Sequence, residues 1–183
     1  CTLKASGGTY TFNYNYYNNF LVSLDKKLGD YTLGVAGNDW NIKFTPAAIR
    51  AIDTFEVMLY DMIDEEGRHA TYEDTVKAVQ KIGIYGMPLE KVNVGLAFYS
   101  RPTDMSAYWY GYNGCYGEID ENGWYHCETI GKDFWFNTTD VIEKKTDYAI
   151  NNGYGGVMIW HYNCDLPSTQ EGSLLRAIGN TVS

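Results

Sequence analysis

Cationic residues are scarce in this 183-residue chain: 14 Lys and Arg stand against 23 Asp and Glu, a formal charge of −9 at pH 7. That shortage argues against a nucleic-acid partner, because cationic surface supplies most of the affinity for a phosphate backbone. Long apolar runs are missing as well. No segment approaches the roughly 18 apolar residues that a bilayer crossing requires, so no membrane span is expected. Cysteine is sparse: the 4 present are too few to staple a fold, and no CxxC or Cys/His cluster carries zinc spacing. His69, His126 and His161 have no nucleophile or metal partner at a recognised spacing and receive no role, so neither metal nor cofactor is expected. No signal peptide opens the chain. Nor is there a linker or a break in composition, which predicts one domain over residues 1–183.

What the chain has in plenty is aromatic: 17 Tyr, 7 Phe and 5 Trp give ample apolar area to bury and exclude disorder. Seventeen phenols exceed what a core of this size easily satisfies, so many are expected at the surface or lining a cleft. Aromatic faces in clefts suit sugar rings, nucleobases or peptides, and the acidity disfavours the second. Cys115 and Cys127 flank the stretch CYGEIDENGWYHC. A hairpin loop closed by a disulfide is the expectation, with two free thiols as the alternative. In the chain-entropy account so short a closed loop contributes roughly 3 kcal/mol, and a bridge implies an oxidising compartment. The spacing of Cys1 and Cys164 leaves their pairing open.

Along the chain, the Gly-, Ser- and Asn-rich opening reads as a loop. Tyr17, Phe20, Leu21, Leu24 and Leu28 recur at helical spacing from about Tyr16, with Gly29 as a stop. Residues 31–36 are a short strand candidate. Thr45-Pro46 opens a second helix, Thr as N-cap and Pro in the first turn, running to about Ile52. FEVMLYD is then a strand ending in an acid, and a polar loop follows. Thr71, with Glu73 and Asp74 in the first turn, starts a helix through about Ile84. Residues 92–99 are a nearly continuous apolar strand; 101–137 is a long aromatic insertion; Thr138-Thr139-Asp140 caps a helix to about Asn151. Residues 155–162 form the last strand and 170–178 the last helix. Near-continuous apolar strands alternating with helices predict an α/β fold with a parallel sheet covered on both faces. Ligands in such folds gather at the carboxyl ends of the strands, where Tyr60-Asp61, Tyr99-Ser100-Arg101 and Trp160-His161-Tyr162 lie.

These strand ends resemble a known family. Met58-Leu59-Tyr60-Asp61 is similar to the MxYD motif on strand six of family 18 glycoside hydrolases, the chitinase family. Gly95-Leu96-Ala97-Phe98-Tyr99-Ser100-Arg101 resembles that family's strand seven, commonly G-x-P-F-Y-G-R, with Ala97 in place of Pro and Ser100 in place of Gly. Gly155-Gly156-Val157-Met158-Ile159-Trp160 resembles strand eight, whose Trp floors the sugar site. The resemblance covers about residues 16–183. It implies a parallel (β/α)₈ TIM barrel of which this chain holds the fourth helix and the β5–β8 half. The family's acid-bearing motif, DGxDxDxE on strand four, is not in the sequence in that form and is expected upstream, on an amino-terminal half of the same barrel. Asp61-Met-Ile-Asp64-Glu65-Glu66 spells D-x-x-D-x-E, but only Asp61 ends the apolar run. Glu65, Glu66 and Arg68 read as a solvated loop.

By the resemblance, the function is hydrolysis of β-1,4-linked N-acetylglucosamine polymers, chitin or its oligosaccharides, by a retaining mechanism in which the substrate's N-acetyl group is the nucleophile. Tyr60 would donate to the acetyl carbonyl, Asp61 would contact the same sugar and Met58 would pack beneath the acetyl methyl. Trp160 would lie under the ring, and Tyr99 and Arg101 would line neighbouring subsites; from the aromatic insertion, Trp109 is a candidate outer-subsite stacker. Tyr110, Tyr112 and Trp124 are further candidate stackers. Two other readings fit: a chitin-binding lectin lacking the acid, and an endo-β-N-acetylglucosaminidase acting on N-glycans. The family and the candidate disulfide together imply an extracellular or cell-surface location.

Overall fold

The computed structural model describes residues 2–5, 8–11, 13–40 and 42–183, with side chains from residue 13 onward. The chain opens on an antiparallel hairpin, β1 (Thr2–Ala5) against β2 (Gly8–Thr11), with Thr2 opposite Thr11. This corrects the loop expected there: Thr and Tyr at 9–11 suit a pleated ladder despite the small residues around them. Cys1 lies outside the described residues, and its pairing with it.

The first helix, α1 (Tyr14–Leu28), begins where the Asn13 side chain accepts the Asn15 N–H and ends at Gly29, whose φ of 62° is open to glycine without steric penalty. Its buried Asn18 ties it to the next helix, donating to the Lys43 carbonyl and accepting from the Thr45 N–H. Next come β3 (Gly34–Gly37), α2 (Pro46–Ala51) and β4 (Thr54–Val57). Thr45 caps α2 by accepting from Ala48. α3 (Tyr72–Ile84) starts where Thr71 accepts from Asp74, and it leads into β5 (Val92–Ala97). The aromatic insertion holds β6 (Tyr99–Ser100), β7 (Tyr110–Gly111), the single turn α4 (Tyr112–Cys115), β8 (Trp124–Cys127) and β9 (Lys132–Trp135). The chain then returns through α5 (Thr139–Asn151), β10 (Gly156–Trp160) and α6 (Leu174–Thr181).

β3, β4, β5 and β10 form one four-stranded sheet, parallel throughout, in the order β10-β5-β4-β3. The fold is therefore α/β with sequential parallel strands. Phe55, Val57, Val92, Val94 and Leu96 from the central strands are buried together with Val79 and Ile82 of α3 and Ile142 and Ala149 of α5. Each large side chain so buried contributes roughly 1.5–3 kcal/mol. Coverage is less even than the sequence pattern predicts. Val157, Met158 and Ile159 of β10 are only half-buried, because among the described residues that strand pairs on one side alone.

One close approach shapes the route to the strand ends. A Cβ on Gly95 would lie 2.0 Å from the Val57 carbonyl oxygen and 3.0 Å from the Leu59 nitrogen. Only glycine lets β5 run against β4 at the point where the chain leaves β4 for Met58–Asp61. Met58 still donates to the Gly37 carbonyl at 2.8 Å before the chain leaves the ladder.

Two further expectations are corrected. The strand expected over 92–99 ends at Ala97. Phe98 is a pivot, donating to the Trp160 carbonyl and accepting from the Tyr112 N–H. Tyr99–Ser100 then turn to pair antiparallel with β7. The disulfide is also absent: Cys115 and Cys127 are free thiols, as is Cys164. Residues 115–127 are not one hairpin. Cys115 closes α4, whereas Cys127 ends β8 and faces Lys132 of β9. Burial pushes the Cys115 thiol up to about 12, and the Cys127 thiol donates to the Tyr110 hydroxyl at 3.5 Å.

Candidate functional site

Three parallel strands deliver their carboxyl ends to one cleft of about 390 Å³. β4 supplies Met58, Tyr60 and Asp61 just past its end. β5 supplies Tyr99 and Arg101 after the Phe98 pivot, and β10 supplies Trp160 and His161. The insertion adds Trp109. Each of the seven candidate residues drawn from the sequence, Met58, Tyr60, Asp61, Tyr99, Arg101, Trp109 and Trp160, lines this cleft, and His161 joins them.

Aromatic rings build its wall by edge-to-face contacts, the geometry that aromatic quadrupoles favour. Tyr60 meets Tyr99 at 5.9 Å between centroids, Tyr99 meets Trp109 at 5.9 Å, and Trp109 meets His161 at 6.1 Å. Trp160 is 53% exposed and stands beside His161, joined to it by a cis peptide bond. An indole face this open, on a rigid strand end, is a platform for an apolar ring face.

Asp61 is the carboxylate of the cleft. Its Oδ1 accepts from the Tyr99 hydroxyl at 2.6 Å and from Arg101 Nε at 2.8 Å, and Arg101 Nη2 reaches Oδ2 at 3.4 Å. The His69 ring, 3.8 Å away with its nearer nitrogen engaged as an acceptor, offers this carboxyl no proton. The Arg101 and Tyr99 hydrogen bonds and the Arg101 charge outweigh the opposing effect of burial and hold it well below the usual carboxylate range. It is an anion at any pH near neutrality. Burial and then the Asp61 charge push the Tyr60 phenol above its ordinary value, so it stays a protonated donor. The Tyr60 hydroxyl has no hydrogen-bond partner among the described residues. The cleft therefore offers a free phenolic donor next to a fixed, neutralised anion, over an aromatic floor.

The acids that follow Asp61 go elsewhere. Asp64 accepts from the Glu66 and Arg68 backbone N–H groups, and Arg68 pairs with Asp64 at 2.8 Å and Glu66 at 3.2 Å. They form a self-contained surface loop, and Glu66 borders a separate, acidic cleft with Trp124, Asp120 and Asp133. Two expected stackers are structural instead. Tyr112 is buried and donates to the Gly172 carbonyl, and Tyr110 packs on Phe134 and Tyr125. Among the described residues no group of three or more His, Cys, Asp or Glu is placed to hold a metal ion, and no helix is long and apolar enough to cross a membrane.

Sequence reasoning missed two histidines. His161 lines the cleft. His69 is fully buried beneath it, with Nε2 accepting the Asp61 backbone N–H at 3.0 Å and its ring 5.2 Å from that of Tyr99. The signal for His161 was adjacency to Trp160. His69 had none, since its role exists only once the loop closes.

The family profile described as "Glycosyl hydrolases family 18" matches residues 8–165. Among solved structures, a chitinase from the chitin utilization locus of Flavobacterium johnsoniae superposes with a TM-score of 0.74 at 24% identity, over 90% of this chain and 55% of that one. A chitinase from Rhizomucor miehei gives 0.76 at 20% identity, over 93% of this chain and 67% of that one. YKL-39, solved in the presence of chitooligosaccharides, gives 0.70 at 14% identity, over 92% and 65%. The chain thus spans a little over half to two thirds of the length of these structures. No curated protein matches the chain.

Proposed function

Because this chain belongs to family 18 of the glycosyl hydrolases, we propose that its cleft binds β-1,4-linked N-acetylglucosamine polymers, chitin or its oligosaccharides, and serves their hydrolysis by a retaining, substrate-assisted route. The observation that carries this reading is the Tyr60 hydroxyl, without a partner among the described residues, beside ionised Asp61 in one cleft with Met58 and Trp160. In that route the glycosidic oxygen takes a proton as its bond to C1 breaks. The acetamido carbonyl oxygen closes on C1 from the opposite face, giving an oxazolinium ion that water opens with retention. Tyr60 donates its phenol to the acetyl oxygen. Asp61, paired with Arg101, contacts the same sugar, and the fixed Tyr60 phenol is the electrostatic aid that usually lowers such a barrier most. Met58 lies under the acetyl methyl, Trp160 under the sugar ring, and Tyr99, Arg101 and Trp109 along the neighbouring subsites.

Among the described residues, no carboxyl group free to give a proton lines this cleft. Asp61 is held ionised, and Glu66 faces the other side of the loop. We place the general-acid glutamate upstream, on the amino-terminal half of a (β/α)₈ barrel whose carboxyl-terminal half is formed by residues 1–183, with the aromatic insertion at about 101–137. The partial coverage of the chitinase neighbours supports this division, as do two sheet edges unpaired among the described residues. Missing a donor, the cleft alone binds without cleaving, which favours lectin-like behaviour for these residues by themselves. An extracellular or cell-surface setting suits a polymeric substrate.

The test is calorimetric titration with chitopentaose and cellopentaose, which differ at the acetamido group. Chitopentaose is expected to bind and cellopentaose not, with Tyr60→Phe and Trp160→Ala each weakening the first. Equal binding of the two sugars refutes the acetamido reading. Cleavage of chitopentaose by this chain refutes the upstream acid, and Glu66→Gln then identifies or excludes the loop acid.

A further inference from the structure

Behind the cleft lies a chain of buried polar groups that the proposed chemistry does not use. Lys145 of α5 is fully buried, and its Nζ donates to the Ala70 carbonyl at 2.6 Å and to Asn137 Oδ1 at 2.5 Å. Asn137, also buried, donates through Nδ2 to the His69 carbonyl at 3.0 Å. His69 Nε2 then accepts the Asp61 N–H at 3.0 Å. Four residues from three parts of the chain are joined from α5 to the strand end that carries the carboxylate.

The loop they hold is strained at both ends. Asp61 has φ 60° and Ala70 φ 49°, left-handed conformations that cost a non-glycine residue about 1 kcal/mol or more. Each is clamped by one member of the chain: the Asp61 N–H by His69, the Ala70 carbonyl by Lys145. The Ala70 N–H closes the loop on the Met62 carbonyl at 2.8 Å. An acceptor at Nε2 also fixes the ring chemistry. His69 must be neutral with its proton on Nδ1, although Nδ1 is buried without a partner among the described residues. A ring held in that form against an unmet donor implies that the Nε2 bond matters to the arrangement.

We propose that Lys145, Asn137 and His69 are positioning residues for Asp61: they fix the left-handed backbone at both ends of residues 61–70 and so present the Asp61 carboxylate to Tyr99, Arg101 and the sugar. The inference rests on Asp61 being a sugar contact, as proposed above. The charged and titratable groups facing the chain are Asp61, Arg101, Tyr99 and Lys145 at His69, and Glu73 and Asp74 of α3 at Lys145.

The test separates hydrogen bonding from filling of space. Gln can present an oxygen where Nε2 lies, whereas Leu fills similar volume with no acceptor. Titrated with chitopentaose under conditions where circular dichroism shows each variant folded, His69→Gln is expected to bind within about threefold of wild type. His69→Leu is expected to lose ~tenfold, the worth of one lost hydrogen bond. Equal affinities of the two variants overturn the proposal. Nitrogen-15 NMR of the wild-type ring is expected to show a bare Nε2 and a protonated Nδ1 at neutral pH; a proton on Nε2 overturns it even if a variant fails to fold. Asn137→Asp keeps an acceptor for Lys145, puts a carboxylate oxygen in place of the donor to the His69 carbonyl, and adds a negative charge beside Lys145. It is expected to shift the His69 ring and Asp61 amide signals, and unchanged signals overturn the relay. If wild type binds no chitopentaose, the functional reading fails, and the ring and amide signals still decide the relay.

Discussion

Tyr99→Phe isolates one hydrogen bond at the heart of the cleft. Tyr99 is 5% exposed, so Phe fills its site and the ring contacts with Tyr60, His69 and Trp109 survive. What is lost is the 2.6 Å bond to Asp61 Oδ1. Hydrogen bonds to charged groups contribute ~1.5–3 kcal/mol. Here the Asp61 side chain is 42% exposed and keeps Arg101 at 2.8 Å, so screening and the remaining partner reduce the loss to about 1 kcal/mol. For a chain of this length that lowers the melting temperature by ~2–4 °C. The sign with pH follows from the depressed Asp61 carboxyl. Stability from a carboxyl held low in the fold is fully present above its unfolded value near ~3.9 and is lost as pH falls through the lower folded value. The unfolded value is common to both proteins, so the gap between wild type and Tyr99→Phe should be constant from pH 8 to 5 and narrow only as pH falls below the variant's folded Asp61 value, itself under ~3.9. Paired urea melts across that range, with carbon-13 titration of the Asp61 carboxyl, measure both terms. A gap that widens towards acid, or an Asp61 carboxyl that does not rise in the variant, refutes the reasoning.

Three other outcomes follow from features of the fold. Burial pushes Lys145 down to about 7, and a neutral amine's two N–H bonds still match its two acceptors, Ala70 O and Asn137 Oδ1. Above pH 7 the unfolded chain then binds a proton that the fold does not, so wild-type stability should climb from pH 7 to 9 by up to ~1.4 kcal/mol per pH unit. Urea melts of Lys145→Met should lack that climb, and parallel curves refute it. Gly95→Ala should lose several kcal/mol, roughly 3 or more, because its methyl would meet the Val57 carbonyl at 2.0 Å; a thermal melt within a degree of wild type contradicts the close approach. Alkylation without reduction should leave Cys115 and Cys127 unlabelled in the native protein and label both after denaturation. A bridged 115–127 peptide in the mass spectrum contradicts the free thiols.

Much of this architecture is local and so can be read along the chain. Thr45-Pro46 and Thr71 mark helix starts by their own chemistry, Gly29 marks a stop, and apolar runs of strand length become the parallel sheet. Six of the seven cleft residues were legible for a related reason: parallel strands deliver their carboxyl ends to one side, so a residue's place at a strand end already places it in space. What stayed hidden depends on contacts between distant segments. Asn137 reaches His69 across 68 positions, and no periodicity announces such a bond. Cys115 and Cys127 misled because two cysteines around a Gly-containing stretch look like a closed hairpin, while β8 takes β9 as its partner. The opening hairpin was masked by small residues that suit turns and strands alike.

Every residue of the cleft falls between positions 58 and 161, at the ends of neighbouring strands of one sheet or in the insertion between them. In genetic terms that is a cassette. A single exchange on either side of it would transfer the cleft wall whole, with its aromatic floor and its neutralised carboxylate. On the proposed reading the proton donor is encoded outside the cassette. One substitution there would turn an enzyme into a sugar-binding protein and leave this stretch untouched, so lectins and hydrolases built on this sheet should be nearly indistinguishable from Met58 to His161.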